Sequence, residues 1–189
     1  MTFNEQSGGI RTGKYLLVPI PKNPYFRIGP QEWQDWHRQV QRTVAIARDL
    51  KAQDNNVEIV ILSNFQPKGK LSEIEVYTKA FHILAPELEV RSYKETNDTL
   101  GQVEKSFELR DEMDAKLVFI TAWMQYPRVL YLSHGRKAQH YGVFGIPQPA
   151  FTLIDPIGIV FQPIIDMVGL SKLFQKIIVR QREKGRILF

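Results

Sequence analysis

Cysteine is absent from this chain of 189 residues, and that absence removes several chemistries at once. Without a thiol there is no disulfide, no thiolate metal site and no cysteine nucleophile. The lack of cysteine is compatible with the cytoplasm, which is the location that we expect. The sequence also lacks the GxGxxG and GxxxxGK[ST] phosphate signatures and the GxSxG turn of serine hydrolases. The standard dinucleotide site, the P-loop and the serine-hydrolase elbow therefore have no support.

Long hydrophobic runs are lacking too. The first apolar run, residues 15–20, is far too short for a signal-peptide core or a membrane-spanning helix. The longest apolar region, residues 154–173, is interrupted by aspartate, proline, glycine and glutamine. We therefore expect no secretory signal and no membrane span. Length and composition indicate one domain over residues 1–189, with a flexible N-terminus at 1–13 and a C-terminal helical extension at 154–189.

Positive charge exceeds negative charge, with a formal net charge of +5, and much of the excess lies near the C-terminus. The basic residues there are Lys172, Lys176, Arg180, Arg182, Lys184 and Arg186. We expect these cations to lie on a solvated last helix, where the helix dipole favours them, and we expect no nucleic-acid binding. Peripheral contact of a basic amphipathic helix with an anionic membrane stays open. The alternative is that the apolar side of this helix packs into the domain.

Strand-like and helix-like segments alternate along the chain without a change in composition. Short apolar runs predict strands at residues 14–20, 57–62 and 116–121, and residues 88–92 and 139–146 are two further predicted strands. Apolar residues at three- and four-residue spacing predict helices at residues 31–51, 72–84, 98–113, 124–136 and 161–182. This alternation predicts an α/β fold, a three-layer sandwich in which helices flank a mostly parallel sheet of about five strands.

Polar residues follow the second, third and fourth predicted strands, where a parallel sheet presents its carboxyl ends to one crevice. Ligands bind in this crevice in open α/β sheets. The candidate ligand-binding residues are Asn64, Glu73, Glu95, Asn97, Thr99, Thr121, Gln125 and Arg128. Helix N-termini together with Arg128 would suit a phosphate or carboxylate, while Glu73 and Glu95 would suit hydroxyl or amino groups. Taken singly, Asn97 and Thr99 are also ordinary helix-capping residues.

Histidine and tryptophan add little to this site. The four histidines are scattered, and none has a partner at metal-ligand spacing, so we expect no metal. Two of them, His37 and His82, fall on predicted helices, where surface or half-buried structural roles are expected. Trp33 and Trp36 share one face of the first predicted helix and are expected in the core. Trp123 lies inside the fourth loop, where it either packs into the core or forms the wall of a pocket.

The order of these loops resembles that of the YdcF-like family of bacterial proteins, also called the ElyC/SanA family. The matching elements are Arg42 before a small-residue stretch, Ser72-Glu73 at the start of the second helix, residues 95–99 before the third helix, and residues 121–128 after the fourth strand. The resemblance spans residues 14–146. Two positions depart from the family pattern, because Gln102 stands in place of asparagine and Gln125 in place of histidine. A proline-rich segment also replaces the glycine-rich turn after the first strand.

The resemblance implies a Rossmann-like domain. In the family, S-adenosylmethionine binding is associated with one branch and cell-envelope roles with others, and no reaction is securely assigned. Our leading hypothesis is that the chain binds a nucleotide-like or S-adenosylmethionine-like small molecule at the carboxyl ends of its strands. A transferase or hydrolase acting on a phosphorylated or cell-envelope precursor is the second hypothesis, with aspartate or glutamate as acid and base because Gln125 has no such chemistry. The third hypothesis is an envelope-associated interaction protein, and whether the chain is an enzyme stays open.

Overall fold

The computed structural model describes residues 13–25, 30–94, 96, 98–123 and 125–144. Within these ranges five strands form one sheet, in which every neighbouring pair is parallel. The strands are β1 (Lys14–Pro19), β2 (Asn56–Leu62), β3 (Glu89–Tyr93), β4 (Lys116–Ala122) and β5 (Gln139–Val143). The helices are a 3-10 turn (Gln31–Trp33), α1 (Asp35–Lys51), α2 (Glu73–Leu84), α3 (Thr99–Glu112) and α4 (Tyr126–Leu132). The N-terminal segment before Gly13 and the helical extension expected at residues 154–189 lie outside the described residues.

Alternating side chains of the strands enter two hydrophobic layers, one on each face of the sheet. On one face α1 and α2 cover a layer that includes Leu17, Ile59 and Val118. On the other face α3 and α4 cover a layer that includes Leu16 and Phe119. Strands buried on both faces have nearly continuous apolar sequences, and this is why they are recognisable in the sequence. The described part of the chain is a three-layer Rossmann-like sandwich, which confirms the predicted α/β fold.

The strand order places a topological switch point beside β1. The order across the sheet is β3-β2-β1-β4-β5, so the chain moves outward from β1 to β3 and then crosses to β4 on the other side of β1. Pro19, the last residue of β1, pairs with Ile120, whereas β4 continues to Ala122. The carboxyl end of β4 therefore extends beyond that of β1. In this architecture a ligand crevice opens at such a point.

Local capping residues set the starts of two helices. Ser72 and Glu75 form a capping box at the start of α2. Asp98 caps α3, because its side chain accepts a hydrogen bond from the backbone N–H of Gly101 at 2.7 Å. Among the helices in the described ranges, none is both long enough and apolar enough to cross a membrane.

Two expectations about helices are wrong. The helix expected at residues 124–136 is shorter, because α4 ends at Leu132 and the following turn contains Gly135 with a φ of 75°. A positive φ leaves the helical region, and glycine adopts it without strain. Trp33 is not in the core, since it lies on the 3-10 turn before α1 and is 50% exposed. Arg38 covers its ring instead, with 5.5 Å between the guanidinium carbon and the ring centroid.

Candidate functional site

Gln39 of α1 joins β1 to β4 at the switch point. Its buried Nε2 donates to the carbonyl oxygen of Ile20 at 2.8 Å and to that of Ile120 at 2.6 Å. A side-chain amide suits this position because it carries two N–H donors on one nitrogen. The carbonyl of Ile120 also accepts the backbone N–H of Ile20 at 3.0 Å. These contacts fix α1 over the point where the strand order reverses.

Asp35 lies one helical turn before Gln39, on the same side of α1. Because Gln39 is fixed at the carboxyl ends of the strands, this spacing places Asp35 about 6 Å further out along the helix, beyond the edge of the sheet. Asp35 is only 6% exposed, and neither of its carboxylate oxygens has a hydrogen-bond partner among the described residues. Burial raises the pKa of this carboxyl group, and the charges of Lys22 and Arg38 counteract the rise. A buried carboxylate without donors is unfavourable and needs an explanation.

Tyr77 of α2 completes the network around the switch point. Its hydroxyl donates to Oε1 of Gln39 at 2.8 Å and accepts the backbone N–H of Lys22 at 2.9 Å. Burial raises the pKa of Tyr77 well above its ordinary value, and the negative charges of Glu73 and Asp35 raise it further. The hydroxyl therefore stays protonated. Two carboxyl groups, one from α1 and one from α2, thus act on the same buried phenol.

Ser63 ties the end of β2 to the start of α2. Its Oγ donates to Oε2 of Glu73 at 2.7 Å and accepts the backbone N–H of Phe65 at 3.1 Å. The backbone N–H of Glu73 in turn donates to the carbonyl of Phe65 at 3.0 Å. Both Ser63 and Glu73 are buried. One carboxylate oxygen of Glu73 is therefore already engaged by the protein.

The connection between β3 and α3 brings a second polar group to the same edge of the sheet. Thr96 is buried there, and its Oγ1 has no hydrogen-bond partner in the part of the chain that the structure describes. Gln102, on the second turn of α3, donates from Nε2 to the carbonyl of Leu62 at 2.8 Å. This contact holds α3 against the carboxyl end of β2, and Thr96 precedes α3 at the same edge of the sheet.

Trp123 and Gln125 follow β4 on the other side of the switch point. The backbone N–H of Trp123 donates to the carbonyl of Val143 at 2.9 Å, and its ring stacks on Phe144 with 6.5 Å between centroids. The indole Nε1 of Trp123 and Oε1 of Gln125 are both buried, and neither has a partner within the described ranges. Phe144 is 74% exposed, so an aromatic surface borders these polar atoms.

Buried polar atoms without partners concentrate at the carboxyl edge of the sheet. Those of Asp35, Thr96, Trp123 and Gln125 all lie in connections that follow β1, β3 or β4. The exceptions are Thr78, in the body of α2, and Oε1 of Glu58, near the amino end of β2, which forms an ion pair with Arg91. An unpaired buried polar group costs about 1–3 kcal/mol, and folded proteins contain few of them. A bound polar ligand would explain why these unpartnered atoms lie together at one edge of the sheet.

Six of the eight candidate residues predicted from the sequence lie within the described residues, near the carboxyl ends of β2 and β4 or at the start of α3. Glu73 begins α2 and Thr99 begins α3, whereas Asn64 is exposed just after β2. Thr121 is buried in β4, Gln125 precedes α4 and Arg128 is half-buried within it. Glu95 and Asn97 lie outside the described residues. Because β2 and β4 are about 10 Å apart across β1, one ligand would have to span that distance to touch both groups.

His37 is half-buried on α1, and its Nδ1 has no hydrogen-bond partner among the described residues. His82 is exposed on α2, as expected, and His140 in β5 stacks on Phe119 with 5.5 Å between ring centroids. Burial lowers the pKa of His140, so its ring is neutral near physiological pH. In the portion of the chain that the structure describes, no group of three or more His, Asp or Glu side chains is placed to hold a metal ion.

Sequence reasoning missed Asp35, Gln39 and Tyr77. Asp35, Gln39 and Thr43 recur at four-residue spacing and are all buried, so they form a polar stripe beside the apolar stripe of α1. Such a stripe on the covered side of a helix is a signal of buried polar contacts. Tyr77 carries no comparable signal, because a tyrosine on the apolar side of a helix is ordinary core composition.

Comparison of the chain with protein-family models, with curated proteins and with solved structures finds no match. The resemblance to the YdcF-like family therefore stays a prediction.

Proposed function

We propose that the crevice at the carboxyl ends of β1 and β4 binds a nucleotide-like or S-adenosylmethionine-like small molecule. The observation that carries the proposal is the collection of buried, unpartnered polar atoms at this edge, among them those of Asp35, Thr96 and Trp123. Proteins keep such unfavourable groups where function requires them, because a ligand supplies the missing hydrogen bonds. The strand order adds support, since open α/β sheets bind ligands where that order reverses.

The chemical character of the edge suits a ligand with both polar and aromatic parts. Asp35 and Gln125 offer oxygen acceptors, and the indole N–H of Trp123 offers a donor. The exposed ring of Phe144 offers a surface on which a base would stack. Arg128 and the start of α3 would hold an anionic group, in keeping with the role that the sequence suggests for them.

Two matched threonine variants test this proposal by calorimetric titration with S-adenosylmethionine and with AMP. Thr96→Val and Thr78→Val each remove one unpartnered hydroxyl, but only Thr96 lies at the carboxyl edge. We expect saturable binding of at least one ligand, weakened about tenfold in Thr96→Val and changed less than about twofold in Thr78→Val. Absence of saturable binding to the unchanged protein, or equal weakening in both variants, would contradict the proposal.

An enzyme acting on a phosphorylated or cell-envelope precursor is the second candidate. The raised pKa of the buried Asp35 carboxyl favours it, because such groups serve as acids or bases. Release of inorganic phosphate from AMP, abolished by Asp35→Asn, would support this candidate, and binding of AMP without turnover would count against it. Membership of the YdcF-like family, a cytoplasmic location and membrane contact through the C-terminal segment stay predictions from the sequence.

A further inference from the structure

We infer that the carboxylate of Asp35 binds the paired hydroxyls of the ligand, the vicinal diol of a ribose-like sugar. This inference rests on the proposed function and names the part of the ligand that meets the start of α1. The position of Asp35 carries the argument, because Gln39, one turn later, is hydrogen-bonded to carbonyls on both sides of the switch point. The carboxylate therefore stands directly outside the crevice edge.

The Asp35 carboxylate lacks hydrogen-bond donors among the described residues. Both oxygens are buried, and the described residues supply no donor to either of them. Its negative charge, in contrast, is already opposed by Lys22 and Arg38, which act on it electrostatically. Arg38 donates from Nη1 to the carbonyl of Phe144 at 2.5 Å, so its guanidinium is held beside the carboxylate without bonding to it. A neutral donor completes this arrangement, whereas a cationic ligand would add a further positive charge.

The two unpartnered oxygens favour a ligand with two adjacent donors. A vicinal diol presents two hydroxyl groups on neighbouring carbons, and each can donate to one oxygen of a carboxylate. Acidic residues near the carboxyl ends of strands bind ribose hydroxyls in the same manner in other α/β folds. A single hydroxyl would leave the second oxygen of Asp35 buried and unpaired, which is costly. Because both oxygens are shielded from water in the free protein, the diol must displace the atoms that cover them.

The test compares adenosine with 2′,3′-dideoxyadenosine, which lacks both hydroxyls, by calorimetric titration of the full chain. The variants are Asp35→Asn, which keeps the shape of the side chain, and Asp49→Asn, which neutralises an exposed carboxylate on the same helix. We expect the unchanged protein and Asp49→Asn to bind adenosine about tenfold more tightly than the dideoxy compound. In Asp35→Asn we expect this preference to fall below about threefold.

The outcomes separate this inference from the proposed function. Equal affinity of the unchanged protein for the two nucleosides, or a preference that survives in Asp35→Asn, overturns the inference and leaves the ligand crevice standing. Failure of the unchanged protein to bind either nucleoside overturns the inference and the proposed nucleotide-like ligand together. Circular dichroism verifies that Asp35→Asn is folded. If it is not folded, the comparison of the two nucleosides on the unchanged protein still tests whether the diol contributes to binding.

Discussion

The hydroxyl of Tyr77 donates a hydrogen bond to Oε1 of Gln39 over 2.8 Å, and this contact joins α2 to α1 beside the switch point. It also orients the side-chain amide, so that Nε2 of Gln39 points at the carbonyls of Ile20 and Ile120. Because burial raises the pKa of Tyr77 well above its ordinary value, the phenol remains a hydrogen-bond donor near neutral pH. The frame of the candidate site is therefore a buried hydrogen-bonded network, and the unpartnered groups lie in the connections that follow β1, β3 and β4.

Replacement of Tyr77 by Phe tests this frame. The change removes the donor to Gln39 and the acceptor of the Lys22 backbone N–H in a buried region. We expect the free energy of unfolding in urea to fall by about 1–3 kcal/mol. Tyr15→Phe is the matched control, because the Tyr15 hydroxyl accepts an exposed hydrogen bond from Lys116, and its effect should stay within about 0.5 kcal/mol. An equal decrease in the free energy of unfolding in the two variants would show that the buried hydrogen bonds of Tyr77 do not stabilise the fold more than an exposed contact does.

Asp35 and Glu58 are both buried carboxylates, and we expect opposite effects when each is neutralised. Glu58 pairs with Arg91 at 3.0 Å and with Lys14 at 3.7 Å, so Glu58→Gln should lower the free energy of unfolding by about 2 kcal/mol. Asp35 has no hydrogen-bond donor among the described residues, so Asp35→Asn should raise it by about 1 kcal/mol. Stabilisation on removal of a group is typical of sites kept for function. Destabilisation by Asp35→Asn would argue for a structural role instead.

The pH dependence of stability provides a separate test of Asp35. Its pKa is raised mainly by burial in the folded state, against the opposing charges of Lys22 and Arg38. The stability that it contributes is therefore complete below the pKa of the unfolded chain, about 3.9, and is lost as the pH rises through the folded pKa. The excess stability of Asp35→Asn over the unchanged protein should grow as the pH rises from about 4 through the folded pKa of Asp35.

This difference isolates Asp35 from its neighbours. Tyr77 stays protonated over that range, and Glu73 and other titrating groups are common to both proteins. Denaturation in urea at a series of pH values measures the difference. An excess that is constant or shrinks as the pH rises would mean that Asp35 is not the group with the raised pKa.

Ser63 holds the loop from β2 to α2, and Ser63→Ala should weaken that loop. The change removes the hydrogen bond to Oε2 of Glu73 and the acceptor of the Phe65 backbone N–H. Because Glu73 is buried, we expect the free energy of unfolding to fall by about 1–3 kcal/mol. Ser92→Ala, at an exposed position in β3, is the control and should change it by less than about 0.5 kcal/mol. Similar changes in the free energy of unfolding for both variants in urea denaturation would mean that Ser63 does not stabilise this loop.

The sequence predicts the fold well because the signals involved are local. The central strands β1, β2 and β4 are mostly apolar, and the capping box of Ser72 and Glu75 marks the start of α2 within four residues. The end of α4 is less predictable. Residues 133 and 134 contain no strong helix breaker, and the first one is Gly135. The sequence pattern therefore predicts a helix that continues beyond its observed end at Leu132.

The candidate site is less predictable because it depends on strand order. The sequence shows which polar residues follow the strands. It does not show which of these residues lie next to each other, because that depends on β4 pairing with β1 on the side opposite β2, which is a non-local property. Asp35 illustrates the difficulty. An aspartate at the start of a helix is typical of solvent-exposed first turns, and only the fixed position of Gln39 shows that this one is covered.

The indole N–H of Trp123 offers the most direct measurement of the central claim, that the carboxyl edge of the sheet binds the ligand. Its resonance in a ¹⁵N–¹H correlation spectrum is identified by its loss in Trp123→Phe. On saturation with AMP or S-adenosylmethionine we expect this resonance to move, while the backbone amides of Lys14, Asn56 and Glu89 at the amino ends of the strands do not. A Trp123 resonance that stays in place while those amides move, or a spectrum in which nothing moves, would contradict the account.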